Sequence, residues 1–140
     1  MAITFTIPAV PVAEPRARAV AIAGKPRLYE ASKSHPIHAF KATAKLSFAA
    51  TKSQAHDGPI SLDLVFVMPR PQNKRWLTKP MPRYPNVIAP DVDNLAKAVM
   101  DALNGLAWRD DKQVSRLTCE KLVAAGDEQP HVEVTIEDLS

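Results

Sequence analysis

Residues 89–114 read APDVDNLAKAVMDALNGLAWRDDKQV. Leu95, Ala98, Val99, Ala102, Leu103 and Leu106 recur at the three-and-four spacing of a single helical face. That spacing predicts a helix over residues 93–104, closed by Gly105. Carboxylates gather around it: Asp91 and Asp93 ahead, Asp101 within, Asp110 and Asp111 behind. Asp93 stands where an N-cap belongs, at the positive end of the helix dipole. Capping accounts for one aspartate and leaves the others to be helix caps elsewhere, a metal site or ordinary solvated surface.

Asp91 and Asp93 are one residue apart, and in an extended backbone such residues point to the same face. The twelve residues 93–104 would span roughly 18 Å as a helix. Six extended residues from Gly105 cover about 20 Å, so GLAWRDD is long enough to run back and bring Asp111 to Asp91 and Asp93. Clustered carboxylates repel one another until a cation neutralises them. Hard oxygen donors favour Mg2+, with Mn2+ as a substitute. Lys97 lies one turn after Asp93, placed to pair with a carboxylate or to stabilise charge on a phosphoryl group. Asp101 continues that face and would hold Lys97. The plain alternative is a surface Asp–Lys pair, worth only about 0.2–0.5 kcal/mol.

Outward from this helix, the chain suggests a mixed sheet. Strands are predicted at 3–7, 59–69, 113–123 and 131–137, the last two antiparallel and joined through AAGDEQP. Val65 and Val67 make the second half of 59–69 apolar on both faces, as in a central strand. A Pro-punctuated loop over 8–30 ends in a hairpin turning near Gly24-Lys25-Pro26. A second helix over 34–50 presents Ile37, Phe40, Ala44 and Phe48 on one face, with Ser34 as N-cap and Pro36 in the first turn. The expected fold class is α/β (α+β), a single domain over residues 1–140 with a mixed β-sheet and two main helices. Strands such as 60–68 and 131–137 are expected to leave sheet edges or an apolar face that a partner could cover.

Net charge is +3, divided as +9 over residues 1–90 and −6 over 91–140. Such a division suits a polyanion-binding surface beside an acidic cluster. Residues 69–90, PRPQNKRWLTKPMPRYPNVIAP, hold six prolines, five basic residues and no acid. Proline at this density forbids regular helix or central strand. Arg70, Lys74, Arg75, Lys79 and Arg83 are candidates for phosphate contacts, and Trp76 or Tyr84 for stacking on bases. The alternative is a mobile linker. Cys119 is the single cysteine, which points to a reducing compartment and a core role rather than a nucleophile. His35 and His38 have ligand-like spacing but no acidic or thiol partner nearby, so a helix-terminal surface role is expected rather than zinc. With no signal-peptide pattern and no membrane-length apolar run, a cytoplasmic chain without membrane partners is expected.

PDVDNLAKAVMDALNGLAWRDDKQV closely resembles the signature of the RusA family of Holliday-junction resolvases, including the RusA-like endodeoxyribonucleases of phages and prophages. PVAEPRAR near the start, LDLVFVMPRP and SRLTCEKLV…HVEVTI extend the likeness to nearly the whole chain. The resemblance implies a homodimeric, Mg2+-dependent enzyme that cuts four-way DNA junctions by paired symmetric incisions, in recombination and repair. It places the essential aspartates at Asp91, Asp93 and Asp111 and the lysine at Lys97, with Asp110 at a neighbouring acidic position; Asp101 and Asn94, from their places on the helix, are supporting candidates. Arg16 and Arg18, in a first loop that departs from the Gly-rich or more basic version expected, join the DNA-contact candidates. Two other activities remain open on sequence alone: cutting flaps or other branches with the same fold, and binding junctions without cutting.

Overall fold

Nine residues from Ile60 to Met68 form β4, the strand on which the structure is built. The structure, a computed structural model, describes residues 2–15, 18–22, 25–29, 32–76 and 79–140, with backbone alone for 18–22 and 25–29. The other elements are β1 (Ala2–Ile7), β2 (Arg18–Ile22), β3 (Lys25–Tyr29), α1 (Pro36–Ala49), β5 (Tyr84–Pro85), α2 (Val92–Leu103), β6 (Val114–Val123) and β7 (His131–Asp138). Five strands make a mixed sheet in the order β1-β7-β4-β6-β5, and β2 and β3 pair separately as the expected hairpin. Ile22 pairs with Lys25, while Gly24, at the expected turn, lies outside the described residues.

β4 is central, parallel to β6 and antiparallel to β7. β6 and β7 thus run antiparallel, as expected, but they flank β4 rather than pairing with each other. The reach of AAGDEQP is what sequence periodicity could not assign: it crosses over the β4 strand end instead of closing a hairpin. Nor do β4 and β7 leave edges. The edges are β1 and, beyond the two-residue pairing with β5, the outer side of β6.

One sheet face carries both helices. Leu62, Leu64 and Phe66 of β4 and Val132, Val134 and Ile136 of β7 are buried against Ile37, Phe40, Ala44 and Phe48 of α1 and Leu95, Ala98, Val99, Ala102 and Leu103 of α2. Each large apolar side chain so buried contributes about 1.5–3 kcal/mol. Phe5 of β1 meets Phe48 edge-on at 5.9 Å between centroids. Alternation along β6 puts Leu117, Cys119 and Lys121 on this same face, level with Leu62, Leu64 and Phe66. Because α2 leads directly into β6, that strand forms one wall of a cleft along α2.

Helix boundaries differ from expectation by a residue or two. His35, not Ser34, caps α1, its Nδ1 accepting from the amide of Ile37 at 3.0 Å, with Pro36 in the first position. α2 begins one residue early, so Asp91 occupies the N-cap position and Asp93 the first turn. Its end is as read: Asn104 is the C-cap and Gly105 takes φ +81°, a conformation natural to glycine. Leu106 falls beyond the helix and is partly exposed.

Candidate active site

Two adjoining surface clefts lie between α2 and β6. One, of about 400 Å3, is lined by Asp93, Lys97, Asp101 and Asp111 over a floor of Ala96, Met100, Leu117 and Cys119. The other, of about 570 Å3, is lined by Asp91, Asp93, Asn86, Glu120 and Lys121. Asp93, Val92 and Cys119 belong to both. Asp93 and Lys97, a turn apart, face one space together.

The return of the chain is made differently from the expected route. Gly105, with its amide bonded to the carbonyl of Trp108 at 2.8 Å, folds residues 104–108 into a tight turn. Asp111 therefore meets the middle of α2, and β6 then carries Cys119 and Lys121 on to the helix start. Lys121 Nζ donates to the carbonyls of Ile88 and Pro90 at 2.6 and 2.7 Å, fixing the chain that enters Asp91. Asp91, Asp93 and Asp111 line this pair of clefts without meeting as a three-carboxylate knot. Among the described residues, the set of three acids and histidines whose ligand atoms lie within 4.8 Å of one another is Glu128, His131 and Glu133.

That set already has a cationic partner. Arg83 donates to Glu128 at 3.0 and 2.5 Å and to Glu133 at 2.7 Å. His131 bonds Glu133 at 2.8 Å. The Arg83 hydrogen bond holds the Glu128 carboxyl down at about 2, so the pair stays charged at ordinary pH. The carboxylates that line the two clefts offer hard oxygen donors that suit Mg2+ or Mn2+ in chemistry.

A second layer of charge backs the first cleft. Lys41 of α1 contacts Glu14 at 2.8 Å and Asp101 at 3.9 Å. Burial raises the Asp101 carboxyl above its usual range, and Glu14 adds to the rise while Lys41 and Lys97 oppose it. The amide of Glu14 bonds the carbonyl of Asn94 at 3.0 Å, tying the first loop to α2. Lys41 escaped the sequence reading because it lies off the apolar face of α1, where a lysine is ordinarily solvated.

Asp110 has a local task. It caps the 3-10 turn Asp111–Gln113, its carboxylate accepting from the amide of Lys112 at 2.9 Å. Gln113 completes this capping box: its Oε1 accepts from the amides of Arg109 and Asp110. Its Nε2 donates to the carbonyls of His56 and Gly58. Trp108 Nε1 donates to Asp111 Oδ1 at 2.7 Å. Cys119 is partly buried at the junction of the clefts, and burial pushes its thiol up, away from thiolate.

The 69–90 segment is organised rather than a free linker in its described part. Arg70, 6% exposed, donates to the carbonyls of Lys74, Pro82 and Ala124 at 2.6, 2.9 and 3.2 Å. Its guanidinium stands 5.0 Å from the Trp76 ring centroid and 5.3 Å from that of Tyr84. Both aromatics therefore pack on Arg70. Arg70 is buried within the loop and Arg83 is bound to two carboxylates, so neither presents a free charge. Lys74, Arg75 and Lys79 are exposed, with Lys79 over Trp76 at 4.4 Å. Arg16 and the side chain of Arg18 lie outside the described residues.

Among the described residues no helix is long and apolar enough to cross a membrane. In sequence the chain is 32% identical to the uncharacterized protein YqaN of Bacillus subtilis (strain 168), over 99% of this chain and 97% of that one. The family model for endodeoxyribonuclease RusA matches residues 8–137, which takes in both clefts, the basic segment and four of the five strands of the sheet in whole or part, β1 lying ahead of it. The chain belongs to the RusA endodeoxyribonuclease family.

Proposed function

We propose that this protein is a Mg2+-dependent nuclease that resolves four-way DNA junctions as a homodimer, serving recombination and repair. The observation that carries the reading is the sharing of one open cleft by Asp93, Lys97 and Asp111, with Asp91 alongside and exposed cations on the neighbouring loop. Asp91, Asp93 and Asp111 would hold the ion. A bound divalent metal supplies a water activated at neutral pH and polarisation of the phosphoryl oxygen. Lys97 stabilises the negative charge that builds on the phosphoryl group as water adds to phosphorus. Lys41 and Asp101 hold the electrostatic balance behind it. The carboxylates repel DNA, so attraction comes from Lys74, Arg75 and Lys79.

The test is incubation with labelled four-way, flap and linear duplex DNA, with Mg2+ or with EDTA. Paired symmetric cuts in the four-way substrate, absent with EDTA, are expected. Preferential flap cutting would instead favour a branch nuclease of the same fold, and binding without cutting a junction-binding module.

Converting Lys74, Arg75 and Lys79 to glutamine is expected to weaken DNA binding and flatten its dependence on salt. For every phosphate that is no longer neutralised, the log–log slope on B-DNA falls in magnitude by about 0.9. An unchanged slope, measured by fluorescence anisotropy at several salt concentrations, would show that the loop does not touch the backbone.

Two symmetric nicks call for two equivalent sites, and a two-fold dimer supplies them. The exposed edges of β1 and β6 give a second copy surface to cover. Light scattering at micromolar concentration is expected to give about twice the 15.3 kDa chain mass. A monomer that still makes paired cuts would exclude this arrangement.

A further inference from the structure

We infer that Trp108 is a positioning residue for Asp111: its indole N–H fixes one carboxylate oxygen and leaves the other to face the cleft and a divalent cation. The inference rests on the proposed role of Asp111 as a metal ligand.

Trp108 is fully buried in the hydrophobic core, and its one polar side-chain atom is bonded to Asp111 Oδ1 at 2.7 Å. A buried indole N–H requires an acceptor, but a backbone carbonyl would serve as well. Here the acceptor is a half-buried carboxylate at the mouth of the cleft. The ring cannot shift to follow a loose aspartate. Its backbone bridges to His56 and Asn104, and its carbonyl accepts from Gly105 at 2.8 Å. The backbone of Asp111 is restrained from the other side, because Gln113 joins the turn to the carbonyls of His56 and Gly58 at 2.8 and 2.9 Å. Asp111 is thus held through both its main chain and its side chain, by groups anchored in the core. A carboxylate oriented in this way meets a cation already aimed, and hydrogen bonds to ligating groups commonly govern metal affinity.

A merely structural tryptophan would affect stability and nothing else, so metal affinity separates the two. Trp108→Phe keeps an aromatic ring and removes the donor. Calorimetric titration with Mg2+ is expected to show affinity weakened about tenfold or more in the folded variant. Junction cleavage should recover as Mg2+ is raised, which marks a lost aim rather than a lost catalytic group. The second measurement needs no change at Trp108. In a Trp76→Phe chain, Trp108 is the single tryptophan, and its emission is expected to change on Mg2+ binding and to lose that response in Asp111→Asn. Unchanged Mg2+ affinity in folded Trp108→Phe, or emission indifferent to Mg2+ that calorimetry shows to be bound, overturns the inference. In either case the metal reading stands if Asp111→Asn binds Mg2+ more weakly. If Asp111→Asn binds Mg2+ as tightly as the unaltered chain, the metal reading fails and the inference with it.

Discussion

Changing Asp91, Asp93 or Asp111 to asparagine is expected to lower cleavage of a four-way junction by more than about 10²-fold, with no loss of affinity for that junction. The magnitude follows from the chemistry of the donors. An amide keeps the volume of the carboxylate but gives up its charge, and amides are poor ligands for Mg2+. Loss of a group that merely supports a metal ligand typically costs 10–100-fold, so loss of a ligand itself should cost more. Affinity should hold, because removing negative charge beside a phosphate backbone reduces repulsion. Cleavage under single-turnover conditions and gel-shift binding in EDTA separate the two effects. If a folded variant loses binding and cutting in parallel, the residue is not serving as a metal ligand. The three positions differ in setting: Asp93 faces both clefts, whereas Asp91 and Asp111 each face one.

Arg70→Ala should destabilise the protein by about 3 kcal/mol, since a charged donor contributes about 1.5–3 kcal/mol per hydrogen bond and such terms do not simply add. For a chain of this size the melting temperature would fall on the order of 10 °C. Three carbonyls would lose their donor, and Trp76 and Tyr84 would lose the cation between them. DNA binding should weaken as well, but through disorder of the segment that carries Lys74, Arg75 and Lys79. Thermal melts followed by circular dichroism provide the check. A variant with unchanged melting temperature and a flattened salt slope would return Arg70 to the phosphate-binding residues.

Arg70 also shows where sequence reading stops. Composition marked residues 69–90 as basic, Pro-rich and functional, and it could not tell a buried arginine from an exposed one. That distinction depends on Ala124 and Pro82, residues distant in sequence that converge only through tertiary packing. The helix face of Leu95, Val99 and Leu103 was legible because helical periodicity is local. So was Gly105, where the backbone needs positive φ. The neighbours of β4 were not, since alternation says which face a residue takes but not which strand lies alongside. In the site, Asp93 and Lys97 share a helix and could be placed from spacing alone. Lys41, Glu14 and Lys121 come from separate elements, and the Trp108–Asp111 bond spans a turn with no repeating pattern to reveal it.

The prolines of the 69–90 segment have a consequence for the kinetics of encounter. Each fixes its own φ and restricts the residue before it, so even the unfolded segment samples few conformations. With Arg70 and Arg83 fastening the described part, little backbone entropy remains to be surrendered when a ligand arrives. A disordered basic arm would cast about and freeze on contact, paying for order at that moment. This segment would instead meet a polyanion as a preset template. Its contacts would then depend on the shape of the DNA offered to it, because the loop has few alternative shapes with which to adapt.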